Sequence, residues 1–422
     1  PADEPRTQLR ALELLAKVAD QKAADGLLRL ARDGDAREIR LQSVKLVGRL
    51  MDPQANQYLL QLAAPKEAGH ADVEEMLETT RTRAAAVTGL GAAGHPQAVS
   101  MMHRFWMERA PGPAAFRTEP DVAAYQEVVQ ERQEIVRTGV CEAVLALPPG
   151  TTLMEAAASE NEARQLIDRF VEMAERGART VGADRSIEVP TALAIRALGR
   201  AGELSPRGWE LFRLLLTEKL DLPESVKVAV ADALLELGGQ QANQLMMDMT
   251  VLMGESGTGR GKPERGGGWN PPPRGRQPRR QQPQRQQPAG PTLKEHWPRV
   301  CLKLVARGQA EDYLVVIQAL PLLPRDVVEK IVMVMSVRRG AQPEPYYMLA
   351  GRIAALPVEA GRPQPFERYT DALGVQQEQQ EQPGRGGGRG GPQPPSWGGE
   401  PAPPDMWAPG PGRRDARAPR GP

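Results

Sequence analysis

A nine-residue pattern that recurs five times constrains this chain more than any other feature of its sequence. The five windows share a small fourth residue, an aliphatic fifth residue and an aliphatic eighth residue. They are residues 40–48, 83–91, 140–148, 191–199 and 230–238. Because the eighth residue lies four after the fourth and three after the fifth, all three share one face of a helix. Each window therefore predicts a helix with a narrow face on which a neighbour packs closely.

The residues after the windows predict a turn and a second helix. The ninth residue is glycine in four windows, at Gly48, Gly91, Gly199 and Gly238. Glycine readily takes the left-handed conformation that ends a helix. A proline soon follows in four windows, at Pro53, Pro96, Pro149 and Pro206. Because proline is tolerated in the first turn of a helix, these residues suit the start of a second helix.

The windows begin about 39 to 57 residues apart, a period typical of helical repeat proteins. They resemble HEAT repeats, the two-helix units of that family, with armadillo repeats as near relatives. Arg40 and Arg83 match the basic residue often seen in the HEAT pattern, whereas the other three windows lack it and leave the subfamily open. The resemblance covers about residues 5–253 and implies an all-α fold, a right-handed α-solenoid. A generic irregular helical bundle is the alternative.

Composition agrees with a helical fold. Aromatic residues make up only 4% of the chain, and alanine and leucine dominate the patterned parts, which favours helix over strand. No run of about 18 apolar residues occurs, so no transmembrane helix is expected. The sequence begins at Pro1 without a methionine. We expect a cytoplasmic location, with export after removal of an unseen signal peptide as the alternative.

Two low-complexity segments divide the chain. Residues 254–292 and 376–422 are rich in Gly, Pro, Gln and Arg and lack apolar periodicity. Such segments bury too little apolar surface to offset the entropy lost on ordering, so both are predicted to be disordered. A solenoid of about six helix pairs is predicted over residues 1–253. Further helical units, two degenerate pairs, are predicted over residues 293–375.

Charge is spread unevenly along the chain. Residues 254–292 carry eight basic and two acidic residues, a net charge of +6. Since the whole chain has a net charge of +1, the remainder carries −5. A mildly acidic helical region argues against a nucleic-acid binder that uses its whole surface.

The basic insert and the tail contain Arg-Gly-rich runs that resemble segments of RNA-associated proteins. In such segments guanidinium groups pair with phosphates and stack on bases. The candidate residues are Arg265, Trp269, Arg274, Arg276, Arg279, Arg280, Arg385 and Arg389. One interpretation is therefore weak RNA or DNA association through these segments, and the other is a flexible linker with a solubilising tail.

No motif in the sequence predicts catalysis, a metal or a cofactor. Residues 254–259 open like a phosphate-binding loop, but Arg260 and Gly261 stand where such a loop needs lysine and then serine or threonine. The histidines and the two cysteines, Cys141 and Cys301, lack the spacing of zinc ligands. Both cysteines are expected to be buried thiols without a disulfide. We expect a protein that is not an enzyme; the resemblance leaves a HEAT-like lyase or glycosylase as the enzymatic alternative.

The resemblance implies a scaffold that binds a protein partner along the solenoid, because HEAT proteins commonly serve as adaptors and assembly platforms. Second helices of HEAT pairs usually line the concave face, which gives a set of candidate contact residues. They are Gln57, Gln61, Gln97, His103, Arg104, Arg213 and Gln244. The heavy cluster at residues 101–107 is expected to lie in the core, with an exposed binding patch as the alternative.

Overall fold

The fold is helical wherever the structure, a computed structural model, describes the chain. The described residues are 5–18, 21–50, 52–65, 72–116, 118, 120–181, 184–217, 222–257, 291–338 and 342–356. This part of the chain contains seventeen α-helices and no β-strand. Four short 3₁₀-helices span Gly48–Leu50, Pro113–Ala115, Arg185–Ile187 and Leu320–Leu322.

Most of the helices come in successive pairs. The first helices are α1 (Pro5–Val18), α3 (Arg37–Val47), α5 (Val73–Ala92), α7 (Val122–Leu145), α10 (Glu188–Gly199), α12 (Glu224–Leu237), α14 (Leu293–Arg307) and α16 (Arg325–Ser336). The second helices are α2 (Gln21–Asp33), α4 (Pro53–Ala63), α6 (Ala98–Met107), α9 (Glu160–Thr180), α11 (Pro206–Thr217), α13 (Gly239–Gly257), α15 (Ala310–Ala319) and α17 (Glu344–Ala354). A short helix, α8 (Leu153–Ala156), precedes α9.

Helices of the same kind contact one another in chain order. The first helices do so from α1 through α3, α5, α7, α10, α12 and α14 to α16, and we call them the first row. We call the second helices together the second row, and within it contacts run in chain order from α6 through α9, α11, α13 and α15 to α17. Buried apolar side chains of both rows form one cluster that runs from Leu12 to Ile353.

The recurring windows lie on the first helices α3, α5, α7, α10 and α12 and supply the seam of the first row. Their small fourth residues are all buried: Ser43, Ala86, Ala143, Ala194 and Ala233. The aliphatic fifth and eighth residues are buried too, except Leu237, which is partly buried. The helical face predicted from the spacing is therefore confirmed.

The predicted role of the window glycines is wrong for three of the four. Only Gly238 has a positive φ, of 62°, whereas Gly48, Gly91 and Gly199 keep negative φ angles. An added Cβ at Gly199 would lie 2.6 Å from the Cα of Ala233 on α12, and one at Gly91 would fall against a carbonyl oxygen of α7. Glycine is needed at these positions because neighbouring first helices approach backbone to backbone.

The prolines after the windows fall into two groups. Pro53 and Pro206 are the first residues of α4 and α11, as predicted. The side chain of Asp52 caps α4 by accepting hydrogen bonds from the backbone N–H groups of the second and third helical residues. Pro96 and Pro149 instead lie in turns before α6 and α8.

Two arginines at the same window position make equivalent contacts. Arg40 Nη1 donates to the carbonyl oxygen of Gly34, just after α2, at 2.9 Å. Arg83 Nε donates to the carbonyl oxygen of Ala63, the last residue of α4, at 3.4 Å. Each arginine therefore ties the end of the preceding second helix to the next first helix, so the two positions are structurally equivalent.

Helix α14 begins at Leu293 with a reciprocal cap. Thr292 Oγ1 accepts from the backbone N–H of Glu295 at 3.3 Å, and Glu295 Oε2 accepts from the backbone N–H of Thr292 at 2.9 Å. The backbone N–H of Leu293 also donates to Glu224 Oε2 at 2.8 Å. Helix α13 continues to Gly257, past the predicted boundary at residue 253. Residues 258–290 of the predicted disordered insert and all of the predicted tail lie outside the described residues.

A buried ion pair joins α12 and α13 to the helices that follow the insert. Asp312 is fully buried and accepts hydrogen bonds from Arg307 Nε at 2.8 Å and from Arg307 Nη2 at 2.6 Å. Asn243 Nδ2 on α13 donates to Asp312 Oδ1 at 3.1 Å. Arg307 Nη1 donates to the carbonyl oxygen of Leu235 on α12 at 2.8 Å. Four consecutive helices therefore share one buried polar network.

Candidate protein-binding grooves

A shallow furrow crosses the exposed side of the first row above α5. Ala84 and Ala85 form its floor, which is low because both side chains are small. Gly139 of α7 packs so closely on α5 that an added Cβ would lie 2.5 Å from the Cβ of Ala84. Longer side chains of α3 and α7 therefore border a furrow of about 610 Å³, which we call the α5 furrow.

Most of the charged side chains along the α5 furrow are acidic. Lys45 Nζ on α3 lies 2.6 Å from Glu142 Oε2 on α7, so this ion pair spans α5. Arg81 Nη2 on α5 lies 2.6 Å from Glu131 Oε1 on α7. With two further glutamates, one on α3 and one on α7, the furrow is lined by four carboxylates and two cations. Both cations are already paired.

A more enclosed groove lies on the other side of α7, between α7, α9 and the turn into α10. It has a volume of about 430 Å³, and three arginines line it: Arg137, Arg169 and Arg176. Trp106 and Met173 give part of its wall an apolar character. We call this site the arginine groove.

The arginine groove also shows the outcome of the prediction for residues 101–107. Met102 and Phe105 are buried, as expected of core residues. Trp106 is partly buried, and its ring packs edge-on against the ring of Phe170 with centroids 5.4 Å apart. The cluster therefore contributes both to the core and to the wall of a groove.

The three arginines of the groove differ in their partners. Arg169 Nη1 lies 2.8 Å from Glu172 Oε2, so its charge is balanced. Arg137 Nη2 donates to Gln133 Oε1 at 3.3 Å. Within the described residues, neither Arg137 nor Arg176 forms an ion pair with a carboxylate at salt-bridge distance.

The pKa of Arg137 reflects this imbalance. Burial lowers the pKa of the Arg137 guanidinium below its ordinary value, and the nearby positive charge of Arg176 lowers it further. The carboxylate of Glu134 opposes both effects but does not outweigh them. The groove therefore holds a partly buried cation, Arg137, beside an exposed one, Arg176, and an added anion between them is stabilised.

The two grooves adjoin along α7. Glu134 and Thr138 line both of them, with the α5 furrow on one side and the arginine groove on the other. An extended segment that crosses α7 at Thr138 would therefore meet an acidic border first and a basic groove next.

The contact residues predicted from the resemblance lie elsewhere. Six lie on the second helices α4, α6, α11 and α13, and Gln97 is the residue before α6. None lines either groove: Gln57, Gln61, Gln97, His103, Arg104, Arg213 and Gln244. Two have polar contacts within the second row, from His103 Nε2 to Gln165 Oε1 at 2.7 Å and from Gln244 Nε2 to Asp248 Oδ1 at 3.2 Å. The structure brings these residues to one row but not to one cavity.

The predicted nucleic-acid contacts lie outside the described residues, both in the insert and in the tail. Those residues are Arg265, Trp269, Arg274, Arg276, Arg279, Arg280, Arg385 and Arg389.

The described residues offer little for metal or thiol chemistry. Among them, no three His, Cys, Asp or Glu side chains converge to hold a metal ion. Cys141 and Cys301 are free and fully buried, as expected. Burial raises the pKa of both thiols, to about 12 for Cys301, so both stay protonated at neutral pH.

Comparison with known proteins does not assign the chain to a family. No protein-family model matches the chain, and no curated protein matches it. In the part of the chain that the structure describes, no helix has both the length and the apolar character needed to span a bilayer.

Proposed function

We propose that this protein is a non-enzymatic scaffold, a right-handed HEAT-like α-solenoid that binds a segment of a protein partner across α7. Support for the repeat comes from the chain-order contacts of the first helices and from the equivalent roles of Arg40 and Arg83. In a solenoid each unit packs mainly on its neighbours, and the stacked helices expose a long surface suited to extended partners.

The observation that carries the proposal is the pair of adjoining grooves on either side of α7. Protein-binding sites combine apolar anchors with charged groups at their margins. The arginine groove supplies an apolar wall at Trp106 and Met173, and the α5 furrow supplies a charged border with a low floor. Both openings lie along one helix, which suits an extended segment.

The packing of the two rows also suggests which row is concave. First helices approach through Gly139 and Gly199, whereas helices of the second row meet through pairs such as Trp106 and Phe170. Small side chains let helices lie closer than aromatic ones do. A stack curves towards its more tightly spaced row, so we infer that the first row lines the concave face. This differs from the usual HEAT arrangement, in which second helices line it.

Site-specific photocrosslinking in the full chain tests the proposal. Thr138 is replaced with p-benzoylphenylalanine, since this residue borders both grooves, and Gln57 on α4 is replaced in the same way as a control. We expect irradiation in a source-cell lysate to yield a defined protein adduct from position 138 but not from position 57. The captured protein is then purified, and its affinity is measured directly by calorimetry.

The outcomes separate the candidate surfaces. If the captured protein binds the purified chain and that binding weakens when Gln42, a half-buried residue of α3 that lines the α5 furrow, is replaced with tryptophan, the site along α7 is supported. Adducts only from position 57 would favour the second-row residues predicted from the resemblance. A nuclease-sensitive complex without any protein adduct would favour association with RNA or DNA through the basic segments.

A further inference from the structure

In the arginine groove, Arg137 and Arg176 lack, among the described residues, the carboxylate partner that two nearby arginines have. Arg207 on α11 pairs with Glu175 on α9 through two contacts, at 3.2 and 2.8 Å, and Arg169 pairs with Glu172 at 2.8 Å. Arg137 lies on α7 within the same region and has no such carboxylate.

Like charges that share a partly buried site disfavour each other's ionised form. Burial and then the positive charge of Arg176 lower the pKa of the Arg137 guanidinium. The acid that opposes both effects at Arg137 is Glu134, which also borders the α5 furrow. The groove is therefore one carboxylate short of the pairing seen around it, and a bound anion would supply the missing group.

We propose that the arginine groove binds an acidic peptide segment of the protein partner, with one carboxylate held between Arg137 and Arg176. A guanidinium presents planar, paired N–H donors that match a carboxylate, so two arginines that line one groove favour this group. Trp106 and Met173 lie in the same wall and favour an apolar residue next to the acidic one. The inference rests on the proposed function and specifies the chemistry of the partner.

Two features favour a peptide over a nucleic acid as the occupant. The groove has a volume of about 430 Å³, which suits one or two side chains. The adjoining α5 furrow is lined by four carboxylates and two paired cations, and a continuous phosphate backbone leaving the groove in that direction would meet repulsion. A peptide with an acidic residue in the groove and a basic residue at the furrow satisfies both surfaces.

The test uses a fluorescein-labelled peptide, Glu-Glu-Leu-Glu-Glu, and its matched Gln-Gln-Leu-Gln-Gln counterpart. Binding to the full chain is followed by fluorescence anisotropy in about 50 mM salt, where charge attraction is weakly screened. We expect the acidic peptide to bind and the glutamine peptide to bind at least about tenfold more weakly.

Two double variants and one single variant show where the acidic peptide binds. R137Q/R176Q is expected to weaken the acidic peptide at least about tenfold, because two charge-assisted contacts are lost. R137K/R176K retains the charge without the paired donors and is expected to give a smaller loss. R104Q, at an exposed arginine on α6 outside both grooves, is expected to leave affinity unchanged. Circular dichroism checks that each variant keeps its helical content.

The basic insert is the main competing source of acidic-peptide binding. R279Q/R280Q removes two of its cations and is expected to change affinity less than twofold. The inference is overturned if the unaltered chain binds both peptides equally or neither. It is also overturned if R279Q/R280Q loses binding while R137Q/R176Q retains it.

Failure of this inference differs from failure of the proposed function. In one outcome, a partner is crosslinked from position 138 and binds R137Q/R176Q as tightly as it binds the unaltered chain. This result would support the scaffold function and contradict the carboxylate site. In the other outcome, R137Q/R176Q loses binding of the acidic peptide and adducts form only from position 57. This result would support the anion site and would indicate that the partner binds the second row.

Discussion

The first and second rows are built from the same kind of element but are held together differently. In the first row, backbones meet at glycine and alanine, as between Gly199 and Ala233. In the second row, aromatic rings meet across helices, as between Tyr313 of α15 and Tyr346 of α17, whose ring centroids lie 5.6 Å apart. The first row therefore depends on the absence of side-chain atoms, and the second row depends on their presence.

This difference has a consequence for binding. Helices that approach through small residues leave a low floor between the longer side chains of their neighbours, and the α5 furrow is such a floor. The close packing and the exposed groove thus have the same origin in the small residues of α5 and α7. A substitution in the first row is therefore expected to affect both folding stability and the grooves. A substitution in the second row away from the arginine groove is expected to affect folding stability.

The largest effect is expected at the buried ion pair next to the second row. D312A removes the carboxylate that pairs with Arg307 and leaves a partly buried guanidinium without it. Breaking a buried pair in this way typically costs about 3–5 kcal/mol of folding stability. Denaturant unfolding followed by circular dichroism measures the loss.

A matched acid tests whether burial causes this effect. Asp326 pairs with Lys330 at 3.1 Å on the exposed side of α16. D326A is expected to change stability by less than about 0.5 kcal/mol. Equal losses in the two variants would mean that the buried network does not hold the helices after the insert.

A smaller and pH-dependent effect is expected where the two rows meet. Glu108, just after α6, accepts from Arg83 of α5 at 2.8 and 2.6 Å and from Arg132 of α7 at 3.0 Å. Burial raises the pKa of Glu108, but the hydrogen bonds and charges of the two arginines outweigh it, and the net pKa lies below 4.5. E108Q is expected to lose about 1.5–3 kcal/mol at pH 7.

The sign of the pH dependence follows from the lowered pKa. An acid with a lowered folded-state pKa stabilises the fold above its unfolded pKa, and this contribution is lost as pH falls through the folded pKa. The difference in the free energy of unfolding between the unaltered chain and E108Q should therefore shrink below about pH 4.5. Urea unfolding between about pH 3 and pH 7 measures it, with E127Q, at an exposed residue of α7, as the control. A difference that stays constant with pH would rule out ionised Glu108 as the cause.

The third prediction concerns the seam of the first row directly. G91A adds a Cβ against the backbone of α7 and is expected to cost about 1–3 kcal/mol. The same substitution at Gly351 of α17 meets no atom within 4 Å and is expected to stabilise by up to about 1 kcal/mol, because alanine favours helix. Thermal unfolding of the pair measures the contrast. Stabilisation by both would contradict close backbone packing in the first row.

The sequence predicted the helices better than it predicted their contacts. The window that begins at Val140 predicted a helix, and Val140 lies within α7, Val122–Leu145, because the apolar period of this helix is regular. The glycines that end the windows were assigned to helix ends, since the sequence alone does not show which helix backbones pack against each other. The capping box at Thr292 and Glu295 was readable from spacing and marks the start of α14.

The candidate site was harder to predict for a physical reason. Arg137 and Arg176 belong to different helices, and no local motif joins them. Their proximity follows from how α7 and α9 each pack on α6 and α10, which periodicity does not specify. The aromatic cluster at 101–107 was the one local signal, because Trp106 was set apart in a chain poor in aromatic residues. It marked one wall of the arginine groove but not the charges beside it.

The smallest expected effect separates stability from binding in the arginine groove. R137Q removes one of two neighbouring cations, and the nearby Gln133 can still hydrogen-bond to the new amide. Because Arg176 and burial both disfavour the charged form of Arg137, its loss is expected to change stability by no more than about 0.5 kcal/mol, in the stabilising direction. Denaturant unfolding in low salt measures this difference, and added salt should reduce it by screening the repulsion. A clear loss of stability in R137Q would mean that Arg137 supports the packing of α7, so that its position in the groove is structural.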